Sequence, residues 1–203
     1  MRGAAAAAIG LLCCGCIIYS NDELTDISPA PASFVPTVEQ SVDVNFSASN
    51  RGGRLVTSNR IGNNINREIL RRWQAAERIL SATYVERGAF TGSADYEITL
   101  SGSLTNSSSS VWCMVLCPFT LAIVPLWSRA SYDLRYSVRE PATGRTFEAN
   151  AKESFTFVVE LFLVVAAPFA HDGNEKTFAR LSDHLYQQLY DAGAFRDPAA
   201  PRP

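Results

Sequence analysis

The sequence predicts an α+β fold, a mostly antiparallel sheet with two helices packed on one face, accompanied by two apolar segments. Three observations predict it. Short stretches alternate apolar and polar residues with period two, as half-buried strands do. Two longer stretches space their apolar residues by three and four, as amphipathic helices do. The order strand, helix, strand, hairpin, helix then suits a sheet covered on one side by helices.

In chain order, "SVDVNF" sets Val42, Val44 and Phe46 on one face of a strand. From Ile61 the period changes, and Ile65, Ile69, Trp73 and Ala76 form the stripe of a helix of about 18 residues. Arg67, Arg71, Arg72, Glu77 and Arg78 fall mostly off that stripe. Gly88 and Gly92 flank a turn or short strand around Phe90. "DYEITLSGSL" alternates Tyr96, Ile98, Leu100 and Leu104 inward with Glu97, Thr99, Ser101 and Ser103 outward, and Gly102 is expected to mark a bulge. "YDLRYSV", the turn "EPATG" and "RTFEANAKESFTF" read as a β-hairpin. A last helix carries Phe178, Leu181, Leu185 and Leu189 on one stripe and ends at Gly193, a suitable C-terminal cap.

The chain begins with Met1 and Arg2, then an apolar, alanine-rich run from Gly3 to Leu12. That run is too short to span a bilayer, which takes about 20 apolar residues, and it has the make-up of a signal-peptide core. "LLCCGC" follows, Leu11 to Cys16. Metal-site cysteines come in spaced pairs with partners further on, and no such partners follow here. The stretch resembles the lipobox of bacterial lipoproteins, with Gly15 and Cys16 in its last two positions and Cys13 where leucine is usual. The resemblance implies cleavage before Cys16 and diacylation of that cysteine; a cut before Cys14 would put Leu11 in the favoured place but leave Cys13, a less usual residue, just before the cut, and ordinary secretory cleavage or an uncleaved anchor is the other alternative. Ile17, rather than aspartate, follows Cys16, which by the same resemblance implies the periplasmic face of the outer membrane, with the inner membrane as the alternative.

The expected organisation is a signal peptide (1–15), a lipidated cysteine and proline-bearing tether (16–38), one α+β domain (39–193) and a flexible tail (194–203). Within the domain, "ADYEITLSGSL" and "YDLRYSVREPATGRTFEANAKES" resemble the small periplasmic α/β domains of the Tol N-terminal, curli-channel and peptidoglycan-synthase-activator lipoprotein type. Ala94, Asp95, Tyr96, Thr143 and Gly144 are the matching positions.

Two apolar runs interrupt this pattern, residues 111–127 and 155–170. As helices they would reach about 25 Å, short of a hydrocarbon core of about 30 Å. Three accounts stand open: buried core elements, a greasy lobe that meets the membrane or a partner, or a transmembrane pair enclosing residues 128–154. Trp112, Phe119, Leu126, Trp127, Phe162 and Phe169 are the candidate apolar contact surface. Cys113 and Cys117 lie four apart, so a disulfide between them needs a helical or sharply turned segment; two small buried hydrophobes is the other reading.

The 18 basic and 20 acidic residues give a net charge of −2, and no basic stripe marks a nucleic-acid surface. No motif for a nucleophile, metal or phosphate is present. His171 and His184 each neighbour an aspartate, and Asp95 with Glu97 forms a carboxylate pair, but solvent-facing roles suit all of them. The expectation is therefore a non-enzymatic envelope module with no catalytic residue, metal or cofactor. Its expected partners are the membrane, through the acyl anchor, and an envelope protein. The alternative is a lipid-binding or lipid-handling protein with a pocket lined by residues 111–127 and 155–170.

Overall fold

The computed structural model describes residues 15–43, 46–50, 55–57, 59–108, 126–160 and 173–196. One sheet carries eight strands: β1 (Gly15–Ser20), β2 (Thr37–Val42), β3 (Ser47–Asn50), β4 (Leu55–Thr57), β5 (Ser81–Tyr84), β6 (Tyr96–Ser108), β7 (Leu126–Glu140) and β8 (Arg145–Glu160). Their main order is β1-β8-β7-β6-β2-β5, with β3 on β6 and β4 on β3. Two helices, α1 (Asn59–Ala75) and α2 (Gly173–Asp191), contribute to one hydrophobic core with the sheet.

The fold is α+β, but the sheet is mixed rather than mostly antiparallel. β2 runs parallel to both β5 and β6, and β3 is parallel to β6. The cause is the crossover: α1 lies between β2 and β5 in the chain and returns it to the starting end of the sheet, which a tight hairpin cannot do. The β6-β7-β8-β1 half is antiparallel throughout.

The alternation of the long strands holds as far as Ala151, beyond which Glu153, Ser154 and Thr156 are all buried. Tyr96, Ile98, Leu100, Leu134, Tyr136, Val138, Phe147, Ala149 and Ala151 are all buried on the helix-covered face. The hairpin loop is one residue shorter than expected, Pro141–Gly144, because Glu140 pairs with Arg145. Gly144 closes it with φ of 71° while its N–H donates to Glu140 O at 2.8 Å.

Gly102 does not mark a bulge, since the β6–β7 register runs unbroken past it. It answers a break on the other side: β2 stops at Val42 opposite Leu100, and β3 resumes at Ser47 opposite Ser103. There Gly102 adopts φ of 130°, and a Cβ would sit 2.1 Å from the Asp133 carbonyl oxygen. The strand expected over "SVDVNF" lies earlier, at Thr37–Val42; Val44 is outside the described residues, and Phe46 is fully buried beyond the break.

Helix α1 buries Gly62, Ile65, Asn66, Ile69, Leu70 and Trp73. Ala76, expected on the stripe, lies past the helix end and is exposed. The chain leaves α1 through a Schellman turn, with Glu77 at φ of 55° and Arg78 N donating to Trp73 O at 2.8 Å. Helix α2 ends the same way at Gly193, with Ala194 N donating to Leu189 O at 2.9 Å. That turn brings Ala194 and Phe195, placed by the sequence in the tail, to full burial in the core.

Trp73 is the centre of that core. Its indole N–H donates to Ser182 O at 2.9 Å, and its ring meets Tyr136, Tyr186 and Phe195 edge-on at 5.7, 5.7 and 5.8 Å. Asn66 accepts from the Tyr136 hydroxyl at 2.6 Å, which satisfies a phenol whose acidity burial suppresses strongly.

Candidate functional site

Two features stand out against this frame, a groove between the helices and the end of the sheet from which β1 starts. The groove lies beside the first turns of α2. Its volume is about 680 Å³, and Ile61, Ile65, Leu104, Tyr132 and Phe178 supply an apolar floor. Burial pushes the Tyr132 phenol up to about 12, so the ring contributes apolar surface and a neutral hydroxyl.

The rim carries both signs of charge. Glu68 accepts from Arg71 Nε at 3.0 Å and from Arg72 Nε at 3.0 Å, and Glu175 stands across from them. The Arg71 hydrogen bond holds the Glu68 carboxyl below the usual range. Beyond Arg71 and Arg72 a second hollow of about 360 Å³ reaches Arg78, Ser182 and Asp183. Arg78 is already paired with Asp183 at 2.8 Å. These pairings leave the rim close to neutral and give the groove no excess field for an anion.

The segment after β1, expected as a stand-off tether, is held against the domain. Glu153 is fully buried, and its carboxylate accepts the backbone N–H groups of Glu23 at 3.1 Å, Leu24 at 3.0 Å and Ser154 at 3.0 Å. Arg180 bonds Asp22 and also Asp26, the latter at 2.6 Å. The Arg180 hydrogen bonds hold both aspartate carboxyls below the usual carboxylate range, and the Ser154 hydroxyl does the same for Glu23. His184 Nε2 lies 2.8 Å from Thr25 O, and Gln187 Oε1 accepts from Ala30 N at 2.8 Å. Nothing in the sequence pairs this polar stretch with α2; only the fold does.

No catalytic constellation forms among the described residues. His184 bonds a backbone carbonyl rather than a carboxylate. Asp95 and Glu97 do not act as a pair: Asp95 clamps Thr37, accepting from its N–H and hydroxyl at 2.7 Å each, while Arg139 reaches Glu97 at 3.4 Å. Among the described residues no group of three or more His, Cys, Asp or Glu is placed to hold a metal ion. Sequence reasoning missed the buried Glu39, which lies beside Glu97 in the β2–β6 register and accepts from Thr91 and Ser93.

At the sheet end, the register aligns Cys16 with Val159, and Val159 with Leu126. Ser108, the last residue of β6, pairs with Ser128 two positions on. The chain therefore leaves the described fold at Ser108 and Glu160, and re-enters it at Leu126, at the end where Cys16 sits. Residues 126–127 and 155–160 of the two apolar runs are strand. Trp112, Phe119, Phe162, Phe169, Cys113, Cys117 and His171 lie outside the described residues. Among the described residues, no helix is long and apolar enough to cross a membrane.

No family model and no curated protein matches the chain. Solved structures resemble it distantly. A Xanthomonas campestris protein of the family DUF330 is 10% identical over 82% of this chain and 92% of its own, with a TM-score of 0.41. The PelC dodecamer subunit of Paraburkholderia phytofirmans is 8% identical over 86% and 96%, with a TM-score of 0.33. A neuraminyllactose-binding hemagglutinin homolog of Helicobacter pylori is 8% identical over 86% and 89%, with a TM-score of 0.37.

Proposed function

We propose that this chain is a membrane-anchored periplasmic lipoprotein, acylated at Cys16, that works by contact with an envelope protein rather than by catalysis. The observation that supports this reading is the lateral row Cys16, Val159, Leu126. An acyl anchor on Cys16 would hold one end of the sheet at the bilayer, and both apolar runs of the sequence join the domain at that same end. Each buried methylene contributes roughly 0.8 kcal/mol, so the several chains of a lipoprotein anchor hold durably where one would not. The outer membrane is the proposed address.

Mass spectrometry of the native product, with membrane fractionation, tests the anchor: a diacylglycerol-modified Cys16 in the outer-membrane fraction is expected, and an unmodified Cys16 rejects it. The contact role is tested by affinity capture with the acylated protein and with a variant whose residues 111–127 are replaced by a polar loop. Loss of a specific envelope partner is expected, and unchanged capture rejects the role of that segment.

Lipid handling is the second reading, favoured by the apolar floor of the interhelical groove. That groove is lined by other residues than the pocket expected from the sequence, and it is open with a charged rim.

A further inference from the structure

We infer that Trp127 is a second membrane contact, seated in the headgroup layer beside the acylated end of β1, so that the molecule meets the bilayer end-on with β7 and β8 rising from it. The inference rests on the reading of Cys16 as the acyl anchor.

Trp127 pairs with Val158, and Val158 with Ile17, one position inward from the Cys16 row. Two strand spacings of about 4.8 Å therefore separate the backbones of Trp127 and Ile17, about 10 Å in all. Because alternate residues share a face, Trp127 lies on the side of the sheet away from the helices, while Tyr132 and Leu134 face the core. Its side chain is 42% exposed, in contrast to the fully buried Trp73.

The same face turns polar immediately above it, through Arg129, Ser131, Asp133 and Arg135 along β7. Arg129 is itself held by Glu23 and Ser154. An exposed indole beneath a polar face has the distribution of an interfacial anchor: tryptophan concentrates where its ring meets acyl chain and its N–H meets the wet headgroup layer. The occupant is set by continuity with Cys16, whose diacylglycerol would lie at that depth. An acyl anchor alone leaves the domain free to tumble, whereas a second contact about 10 Å across the sheet end selects one orientation.

The experiment uses the full acylated chain in phosphatidylethanolamine and phosphatidylglycerol vesicles, with or without lipids brominated near the headgroup end of the acyl chain. Trp112→Phe removes the remaining indole, and buried Trp73 is the internal reference. About a twofold loss of the Trp127 emission is expected in brominated vesicles, larger than with bromine at the chain terminus, as an interfacial indole requires. The Trp112→Phe, Trp127→Phe double variant gives the background, and near-ultraviolet circular dichroism of Trp73 checks both folds. Equal quenching in the two variants, or none in either, overturns the inference. Acylated Cys16 with unquenched Trp127 rejects this contact alone, while unmodified Cys16 rejects it together with the anchor.

Discussion

Glu77 occupies a backbone position that suits glycine. At φ of 55° it forms the C-terminal turn of α1, and a left-handed residue with a Cβ costs roughly 1–2 kcal/mol. Glycine removes that strain and returns part of the gain as unfolded-chain entropy. Glu77→Gly is therefore expected to stabilise the protein by about 0.5–1 kcal/mol, read as a higher urea midpoint at unchanged slope. Gly102 is the opposite case. At φ of 130°, with the Asp133 carbonyl 2.1 Å from any Cβ, Gly102→Ala is expected to cost about 2–4 kcal/mol in the same measurement. A neutral result would mean that Gly102 does not hold this backbone conformation where β2 gives way to β3.

At the scale of elements, the strap from Asn21 to Pro36 is the part that composition misrepresents. Polar residues with prolines read as a linker because they carry no apolar periodicity, yet side-chain acceptors such as Glu153 and Gln187 take up their backbone N–H groups. Asp22, Glu23 and Asp26 all titrate below their ordinary range in the folded state. A depressed folded value contributes stability that is complete above the unfolded value and disappears as pH falls through the folded one. Amide exchange at Leu24 is therefore expected to be slow above about pH 5 and to accelerate, beyond the intrinsic pH effect, as pH falls below about 4. Protection unchanged down to about pH 2 would show that these ion pairs do not fasten the strap.

The same scale explains what the sequence could disclose. Helix α1 was legible because Ile65, Ile69 and Trp73 recur on one side whatever they pack against. The direction of β2 was not, because Val38 and Val42 alternate identically in a parallel or an antiparallel ladder, and only the return of the chain through α1 sets it. β5 escaped notice because "SATY" is a mostly exposed edge strand with no apolar face to betray it. Cys16 and Trp127 could each be named from sequence, but their alignment arises from pairing between β1, β8 and β7, which no local pattern encodes.

For the whole molecule, the question is what joins the two helices and the sheet into one cooperative unit. Trp73 from α1, Tyr186 from α2, Tyr136 and Tyr96 from the sheet, and Phe195 from beyond α2 share one aromatic cluster. Phe195 stacks on Tyr186 at 5.7 Å and meets Tyr96 at 5.0 Å, while its own N–H donates to the Tyr96 hydroxyl at 3.1 Å. It therefore ties the end of α2 to the start of β6, and its removal leaves a cavity against every layer. Phe195→Ala is expected to cost about 3–5 kcal/mol, a large share of the 5–15 kcal/mol typical of a domain. Urea unfolding followed by both near- and far-ultraviolet circular dichroism should give one transition, shifted down together. Two separated transitions, or a cost below about 1 kcal/mol, would show that α2 and the sheet unfold independently and that Phe195 lies outside the cooperative core.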